Sequence, residues 1–517
     1  MDCRGWSATS VLNATERPSR SRRRVFDVVV VGGGPAGAVM GWALASRGMR
    51  VLILDRARFP REKVCGDFVE PRGLRLFQAM GCLDALEADD PLAITHVNLF
   101  LNGRSAYREH IPFYAGQSEL PQHGYIIPRE TLDHRILAAA VAAGAELREG
   151  CQVSGVVRDG DRMVVRYADG DTAAAVRASL VVGADGTHSI VARSFDMLAD
   201  DPRYMAVSQR AYVEGVEMTH GEAAFVFDRE LFPGYGWLFP MSNGRANAGV
   251  GILAETRDRD RISVPKLFDA FLRKLRRQHP GCGALRLASK PIGGIVKTYG
   301  GHGRNRFDGG ILIGDAGSFV DPITGEGITP AAESALIGAD VIVDALEQGR
   351  SDAAYLSAYE RRFRAYFDPA MCYLDFVACV MRNRHFCDFW LSVVTQGCEL
   401  AMQDRTFART GGAGFGGLDI RPLDMVGRMW AKSLGRLAVQ GGRIATGLFT
   451  GRIGAVPAIA DMARWQTGWW ASLADDPAWH ARWMADVAGK WLRLSRTVRM
   501  RDPRARGPAQ LRLTASR

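Results

Sequence analysis

The stretch VFDVVVVGGGPAGAVMGWALASRGMRVLILD, residues 25–55, decides the fold of this chain. Residues 28–31 are a continuous apolar, β-branched run, which is typical of a strand buried on both faces of a parallel sheet. The run leads directly into Gly32-x-Gly34-x-x-Gly37, and a small-residue helical pattern and a second apolar strand ending at Asp55 follow. This order of elements, a strand, a glycine-rich turn, a helix and a second strand that ends in an acid, predicts a dinucleotide-binding unit.

Each residue of the motif has a predicted physical role. Gly32 permits the tight turn, Gly34 lets the backbone approach a pyrophosphate, and Gly37 lets the helix pack close to the strand. The helix N-terminus offers free N–H groups and a positive dipole to the anion, and Pro35 is tolerated there because its missing N–H would be unpaired anyway. Asp55 is placed to accept hydrogen bonds from a ribose diol. The motif alone does not distinguish NAD from FAD.

The positive charge of the chain lies in its two ends. The 517 residues carry a net charge of +10, but residues 1–24 hold +4 and residues 492–517 hold +7. The body is therefore close to neutral, which disfavours a nucleic-acid partner. Both ends are predicted to be disordered, basic, solubilising tails, with a weak contact to an anionic surface as the alternative.

The chain is predicted to be cytoplasmic, with a peripheral membrane contact as a further option. Residues 21–26, SRRRVF, resemble a twin-arginine export signal, but the apolar run behind them is the first strand of the nucleotide fold. No charge-free apolar stretch of eighteen residues stands outside the glycine motif, so no membrane span is predicted. The odd number of nine cysteines without a CxxC pair indicates reduced thiols, with neither a disulfide framework nor a metal site.

The pattern of predicted elements divides the chain into five parts. Alternating, aromatic-rich strands between residues 204 and 253 interrupt the parallel-sheet pattern and indicate an antiparallel sheet with one covered face. The predicted division is a basic tail at 1–24, a dinucleotide-binding domain at 25–95, 126–198 and 300–367, a substrate-binding β domain at 96–125 and 199–299, a helical region at 368–491 and a basic tail at 492–517.

Two further glycine–acid turns, at Gly183-Ala184-Asp185-Gly186 and Gly314-Asp315, follow the first motif in order. In this order the three motifs resemble the FAD-dependent aromatic hydroxylase superfamily, the group A flavoprotein monooxygenases, over about residues 26–367. The resemblance implies an α/β fold with a Rossmann-type FAD-binding domain, an inserted antiparallel β substrate domain and a helical C-terminal region. It also implies that Asp315 holds the ribityl chain, that Arg129 contacts FAD, and that the helix after Gly325 points at the pyrimidine edge of the flavin.

Each predicted FAD-binding residue lies in one of these turns, at the N-terminus of an adjacent helix or at the end of an adjacent strand. They are Gly32, Gly34, Pro35, Ala36, Gly37, Asp55, Arg56, Arg129, Asp185, Asp315, Gly325 and Gly327.

Two shorter segments resemble the geranylgeranyl reductase branch of the superfamily. One is the loop PREKVCGD, residues 60–67, and the other is YGWLFP, residues 235–240. The sequence departs from the branch pattern at 68–70, FVE, where small or hydroxyl residues are commoner. Residues Tyr235 and Trp237, two apart on a strand, face the same side and would line an apolar tunnel, with sheet core packing as the alternative.

Cys65, Tyr235 and Trp237 are the predicted catalytic residues. Cys65 would be a proton donor or a modulator beside the flavin, with an inert small side chain as the alternative. The late tryptophans form a cluster that would be a lid, a dimer face or an interfacial contact, although packing against the body is the simpler interpretation; they are Trp465, Trp469, Trp470, Trp479, Trp483 and Trp491.

The leading functional hypothesis is an FAD-dependent reductase of carbon–carbon double bonds in a lipophilic, isoprenoid-like small molecule. The alternative is a monooxygenase that hydroxylates or epoxidises its substrate, because the same fold supports both reactions. A halogenase and a cyclase with a non-redox FAD are further alternatives. The electron donor would be NAD(P)H, visiting the flavin transiently because no second nicotinamide fold is evident, or a protein.

Overall fold

The computed structural model describes residues 26–111, 120–218, 221–405, 407–408 and 473–499. The strands, in chain order, are β1 (Phe26–Val31), β2 (Val51–Asp55), β3 (Phe68–Val69), β4 (Ala93–Ile94), β5 (His96–Leu101), β6 (Arg104–His110), β7 (Gly124–Ile126), β8 (Glu146–Glu149), β9 (Cys151–Asp159), β10 (Arg162–Asp169), β11 (Thr172–Gly183), β12 (Met205–Glu214), β13 (Glu222–Phe227), β14 (Tyr235–Pro240), β15 (Arg245–Leu253), β16 (Arg286–Leu287), β17 (Ile292–Lys297), β18 (Arg306–Phe307) and β19 (Gly310–Leu312).

The helices, in the same order, are α1 (Pro35–Ala45), α2 (Pro71–Ala79), α3 (Leu83–Glu87), α4 (Arg129–Ala142), α5 (Ile190–Ser194), α6 (Ala254–Arg259), α7 (Val264–Gln278), α8 (Ile328–Glu347), α9 (Ala353–Met381), α10 (Cys387–Gln403) and α11 (Pro477–Arg499). A short 3₁₀ turn, Gly314–Gly317, follows the last strand.

The first sheet is built around β1, as the apolar run predicts. Its order is β18-β19-β11-β1-β2-β8, and β1 pairs in parallel with β11 on one side and β2 on the other. Residues 28–30 are fully buried because helices cover this strand on one face and the β9–β10 hairpin layer covers the other. Helix α1 packs between α4 and α8 and is buried on all sides, which its small residues allow.

The second sheet has the order β16-β12-β15-β14-β13-β5-β6, with β17 also paired to β12. Its pairs are antiparallel, as predicted for this region, except that β13 pairs in parallel with β5. Strand β5 arrives from an earlier part of the chain, so no hairpin fixes its direction relative to β13. The amphipathic helix α7 covers one face of the sheet with Phe268 and Phe271.

Helix α9 is longer than the sequence predicts. The sequence predicts that one helix ends near residue 367 and that another begins at residue 371. In the structure, α9 continues through Pro369 to Met381. Proline inside a helix costs about 3 kcal/mol through the lost hydrogen bond and ring clash, and tertiary contacts have to offset this. Such contacts are present: Asp368 accepts hydrogen bonds from Tyr299 (2.6 Å) and from Arg493 (3.0 Å).

Helix α11 continues to Arg499, which corrects the prediction of a disordered tail from residue 492. The reason is that its side chains are anchored to α9: Arg493 pairs with Asp368, and the Lys490 ammonium lies 2.5 Å from the Asp375 carboxylate. Trp479 and Trp483 are buried, and the Trp483 indole donates to the Cys379 carbonyl (2.8 Å), so these two tryptophans do pack against the body.

Other predictions for the C-terminal part cannot be compared with the structure. Several predicted features lie outside the described residues. They are Trp465, Trp469 and Trp470, the glycine-rich segment 411–417, the predicted helix 422–448 and the tail at 1–24. Within the described ranges, no helix is both long and apolar enough to cross a bilayer. The eight cysteines in those ranges are free thiols.

Arg382 offers a test of the contact between α9 and α11. Its side chain is 3% exposed and pairs with Glu255 (3.0 Å) and Asp486. Arg382→Ala leaves Glu255 without its cation and leaves Asp486 with the more distant Arg203 guanidinium (3.6 Å), so we expect a loss of about 3 kcal/mol in the free energy of unfolding. Arg362→Ala removes a surface pair with Asp344, so it should cost less than about 1 kcal/mol. Denaturant midpoints measure both, and equal losses would contradict this assignment.

Candidate functional site

A cavity of about 940 Å³ opens where β1, β2 and β11 end, between the first sheet, the second sheet and the C-terminal helices. Fourteen of the fifteen predicted site residues line it. They are Gly32, Gly34, Pro35, Ala36, Asp55, Arg56, Cys65, Arg129, Asp185, Tyr235, Trp237, Asp315, Gly325 and Gly327. Gly37 is the exception and lies behind the turn. The predicted residues, far apart in the sequence, therefore meet around one space.

The three glycines of the first motif lack a side chain for different reasons. A Cβ on Gly37 would lie 1.8 Å from the Gly32 carbonyl oxygen, and one on Gly32, whose φ is +104°, would lie 2.3 Å from the Ala184 oxygen. These two glycines are required by packing. Gly34 is extended, with φ −72°, and the nearest atom to a Cβ there is the Arg61 guanidinium at 3.6 Å. Packing therefore leaves room at Gly34 for a ligand, next to the uncapped first turn of α1.

Asp55 fixes the glycine-rich turn to the end of β2. One carboxylate oxygen accepts a hydrogen bond from the Gly33 N–H (2.6 Å) and the other accepts one from Ala57 (2.7 Å). The carboxylate is buried and still lines the cavity. Arg56, the next residue, is exposed at the rim.

The other two acidic turns differ in what their carboxylates contact. Asp185 accepts hydrogen bonds from the Ser189 hydroxyl (2.6 Å) and from the amides of Ile190 (2.6 Å) and Val191 (3.2 Å), so both of its oxygens hold the start of α5. Asp315 is paired with the Lys63 ammonium at 3.5 Å. The cavity-facing carboxylate of Asp315 is therefore the more available of the two for a ligand.

Arg129 lies beside Cys65, a contact that the sequence analysis missed. The buried guanidinium binds both oxygens of Asp133 (2.7 and 2.8 Å) and hydrogen-bonds to the Cys65 thiol. Burial raises the pKa of Cys65, the Arg129 charge opposes that shift, and the Asp67 charge adds to it. Cys65 therefore remains a neutral thiol at neutral pH, which fits a group that holds a proton better than a nucleophile.

The Cys65 loop and the aromatic strand are joined through Asn247. Asn247 accepts a hydrogen bond from the Trp237 indole (2.9 Å) and donates to the Cys65 carbonyl (2.9 Å) and to Asp67 (2.8 Å). Tyr235 and Trp237 share one face of β14, as predicted, with ring centroids 6.0 Å apart. The Tyr235 hydroxyl donates to the Thr324 carbonyl, so β14 also contacts the loop before α8.

Asp67 is the most constrained acid of this loop, and sequence reasoning did not single it out. It is fully buried with φ +63°, and one carboxylate oxygen accepts hydrogen bonds from Tyr212 (2.8 Å) and Asn247. The other oxygen has no partner among the described residues. Burial raises the pKa of Asp67 to about 6, against the attraction of the buried Arg210 guanidinium.

The far arm of the cavity is apolar. The second sheet contributes Leu99 and Phe225, and α10 contributes Val394 and Cys398. An apolar arm that begins beside Cys65 and Trp237 favours a ligand with a long hydrocarbon part. In the part of the chain that the structure describes, no three His, Cys, Asp or Glu side chains are grouped to hold a metal ion.

The sequence matches the model of the family described as "FAD binding domain" over residues 25–371. Digeranylgeranylglycerophospholipid reductase 2 of Methanopyrus kandleri is 30% identical over 367 residues, which cover 67% of this chain and 84% of that protein. Menaquinone reductase of Mycolicibacterium smegmatis is 35% identical over 329 residues, covering 61% of this chain and 76% of that protein. These matches confirm the predicted superfamily, its geranylgeranyl reductase-like branch and an FAD cofactor.

Solved structures share the fold. A geranylgeranyl bacteriochlorophyll reductase-like protein from Thermoplasma acidophilum superposes with a TM-score of 0.63 at 21% identity, over 72% of this chain and 92% of that one. A flavin-dependent brominase gives 0.62 at 19% identity, over 81% of this chain and all of the other. The predicted α/β fold class is confirmed, and at this identity the likeness concerns the fold alone.

Asp67→Asn should remove a pH dependence of stability. The folded-state pKa of about 6 exceeds the ordinary value of 3.8, so the folded protein binds more protons than the unfolded chain between these values. The contribution of Asp67 to stability is therefore greatest at low pH, falls from about pH 4 to about pH 6 and is level above that. The melting temperature of the wild type relative to Asp67→Asn should fall over the same interval.

Thermal melts of both proteins across this pH range measure the effect. Asp171→Asn, at an exposed hairpin turn, is the control and should track the wild type at every pH. Parallel curves for Asp67→Asn and the wild type would show that Asp67 does not titrate in this interval.

Proposed function

Because the chain belongs to the FAD binding domain family, we propose that this FAD-dependent oxidoreductase reduces carbon–carbon double bonds of a lipophilic, isoprenoid-like substrate. The observation that carries the proposal is the continuity of the cavity. A polar end with the glycine-rich turn joins an apolar arm at Cys65 and Trp237. The names of the two relatives, reductases of a digeranylgeranyl phospholipid and of menaquinone, support an isoprenoid substrate.

FAD fits the polar end of the cavity. Gly34 and the first turn of α1 would hold the pyrophosphate, Asp55 the ribose and Asp315 the ribityl chain, while Gly325, Gly327 and the N-terminus of α8 would face the pyrimidine edge. When bound, FAD supplies hydride chemistry. The packing of the protein does not by itself require a glycine at position 34. This supports the placement of the FAD pyrophosphate there.

The chain itself would orient the substrate and exclude water. Trp237 and Tyr235 would hold the reacting double bond from the β14 side, with their rings fixed by hydrogen bonds to Asn247 and to Thr324. The neutral Cys65 thiol would face the same space. We assign the second sheet to substrate binding and the first sheet to the cofactor.

The partners we propose are a small lipophilic substrate and an electron donor, either NAD(P)H or a protein. We place the enzyme in the cytoplasm, with a peripheral membrane contact for collecting its substrate. Three large apolar side chains on α11 support that contact because they are exposed: Met484 (48%), Trp491 (44%) and Leu492 (57%).

Anaerobic reoxidation of the reduced flavin tests the reaction type. A polyprenyl phospholipid should reoxidise the flavin and be recovered with two added hydrogens per reduced double bond, whereas the fully saturated phospholipid should not react. Flavin absorbance and mass spectrometry of the lipid provide the measurement. If no alkene reoxidises the flavin, and labelled oxygen enters a product in air, the enzyme is a monooxygenase instead.

Gly34→Val tests the cofactor placement, with Gly37→Ala as its contrast. A Cβ at Gly34 makes ordinary van der Waals contact with the flexible Arg61 side chain (3.6 Å) and meets no closer atom, so folding should be retained while the affinity for FAD falls by about tenfold to 100-fold through overpacking. Gly37→Ala places a Cβ against the Gly32 carbonyl and should disrupt folding itself. The flavin-to-protein absorbance ratio and the melting temperature separate the two effects. A Gly34→Val protein with full flavin content would contradict the placement.

A further inference from the structure

Glu70 is a buried acid that lines the same cavity and has no role in the site described above. It follows β3 and precedes α2, is 8% exposed, and its side chain does not cap the helix. Among the described residues, no group donates a hydrogen bond to its carboxyl oxygens. An unpartnered carboxyl group more than nine-tenths buried in a cavity wall points to a group that acts on the contents of that cavity.

Two of the acids around Glu70 accept backbone hydrogen bonds, whereas Glu70 accepts none in the described part of the chain. Asp321 accepts hydrogen bonds from the amides of Ile323 (2.7 Å) and Thr324 (2.9 Å). Glu326 accepts one from the Thr329 amide (2.8 Å). Hydrogen bonds of this kind stabilise the charged form of a carboxyl group.

A third neighbour is Glu333 on α8. Its carboxylate accepts a hydrogen bond from the Tyr366 hydroxyl (2.7 Å) and lies 3.5 Å from the Arg72 guanidinium. Four acids therefore face the single buried guanidinium of Arg72 among the described residues. Because charging all four acids in this buried cluster would cost too much free energy, the cluster retains a proton. Glu70 accepts no hydrogen bond among the described residues, so its charged form is the one least stabilised by such bonds.

Other charged and titratable groups face this cluster from the remaining elements. Tyr235 approaches Asp321 and Glu326 from β14, and Tyr366 on α9 is close to Arg75 on α2. Burial is the main cause that raises the pKa of Glu70, with Asp321 and Glu333 adding to the shift and Arg72 opposing it. Burial also raises the pKa of the neighbouring Glu326, and the Glu70 charge adds to that shift. A general acid is most effective when its pKa is close to the working pH.

We propose that Glu70 is the general acid of this site, and that its neutral carboxyl group delivers the proton that completes saturation of the double bond. The inference rests on the proposed function. One alkene carbon receives a hydride, with its electron pair, from the reduced flavin, and the adjacent carbon receives the Glu70 proton. The π bond is lost, two C–H bonds form, the flavin is oxidised, and Glu70 is left as a carboxylate that takes a proton from water.

Glu70→Gln keeps the size of the side chain and removes the transferable proton. The wild-type rate of anaerobic flavin reoxidation by a polyprenyl alkene should be level below the raised pKa of Glu70 and fall about tenfold per pH unit above it. The variant should be slower by about 100-fold or more and lack this pH dependence. Glu70→Asp, which retains a carboxyl group, should recover the pH dependence at a reduced rate. Glu347→Gln, at the exposed end of α8, is the matched control and should leave rate and profile unchanged.

Infrared spectroscopy of the FAD-loaded protein gives a readout that does not depend on turnover. Other buried acids also contribute bands, so the wild-type and Glu70→Gln spectra are compared at each pH. Their difference should contain the carbonyl band of one protonated carboxyl group, and this band should disappear as the pH rises through the raised pKa of Glu70. A difference spectrum without this band, or an unchanged pH profile of reoxidation, would overturn the assignment. If no alkene reoxidises the wild-type flavin, the reductase proposal fails, while the infrared band still decides whether Glu70 holds the proton.

Discussion

The architecture depends on the contact between the Gly37 Cα and the Gly32 carbonyl, where even one additional carbon atom would lie 1.8 Å from the oxygen. This contact holds α1 against the end of β1 and directs the N-terminus of the helix into the cavity. Helix α1 is in turn covered by α4 and α8, so its position sets theirs. Since α4 carries Arg129 and α8 begins directly after Gly327, the same contact indirectly places residues on two further sides of the site.

The second organising feature is the polar cluster that joins the two sheets. Asn247, Asp67 and Tyr212 connect the loop after β2 to strands of the second sheet, and Arg210 stacks over Tyr212 at 4.4 Å while donating to the Lys63 carbonyl. Buried polar groups are costly when they lack partners, so such a cluster fixes one relative position of the sheets. That position brings Cys65 and Trp237 to the same part of the cavity.

Local patterns were sufficient to predict the parallel sheet, the helices α1 and α8, and the three glycine–acid turns, because each depends on periodicity or on a turn with its own signature. Contacts such as Arg129 with Cys65, or Asn247 with Asp67, join residues that are 64 and 180 positions apart, and no local pattern reports them. The continuation of α9 through Pro369 was missed for the same reason, since the stabilising partners, Tyr299 and Arg493, come from elsewhere in the chain. Glu70 was noticed as a departure from the family pattern, but its burial and lack of partners became evident from the structure.

The parallel pairing of β5 with β13 has a consequence for how this protein can fold and be engineered. Strand β5 joins a sheet whose other central strands come more than a hundred residues later, so the second sheet is incomplete until both segments are available. Contacts between such distant segments are slow to form, which ties the folding rate to loop closure instead of local helix formation. A chimera that exchanges the second sheet for that of a relative would therefore need both segments transferred together, because neither is an autonomous module.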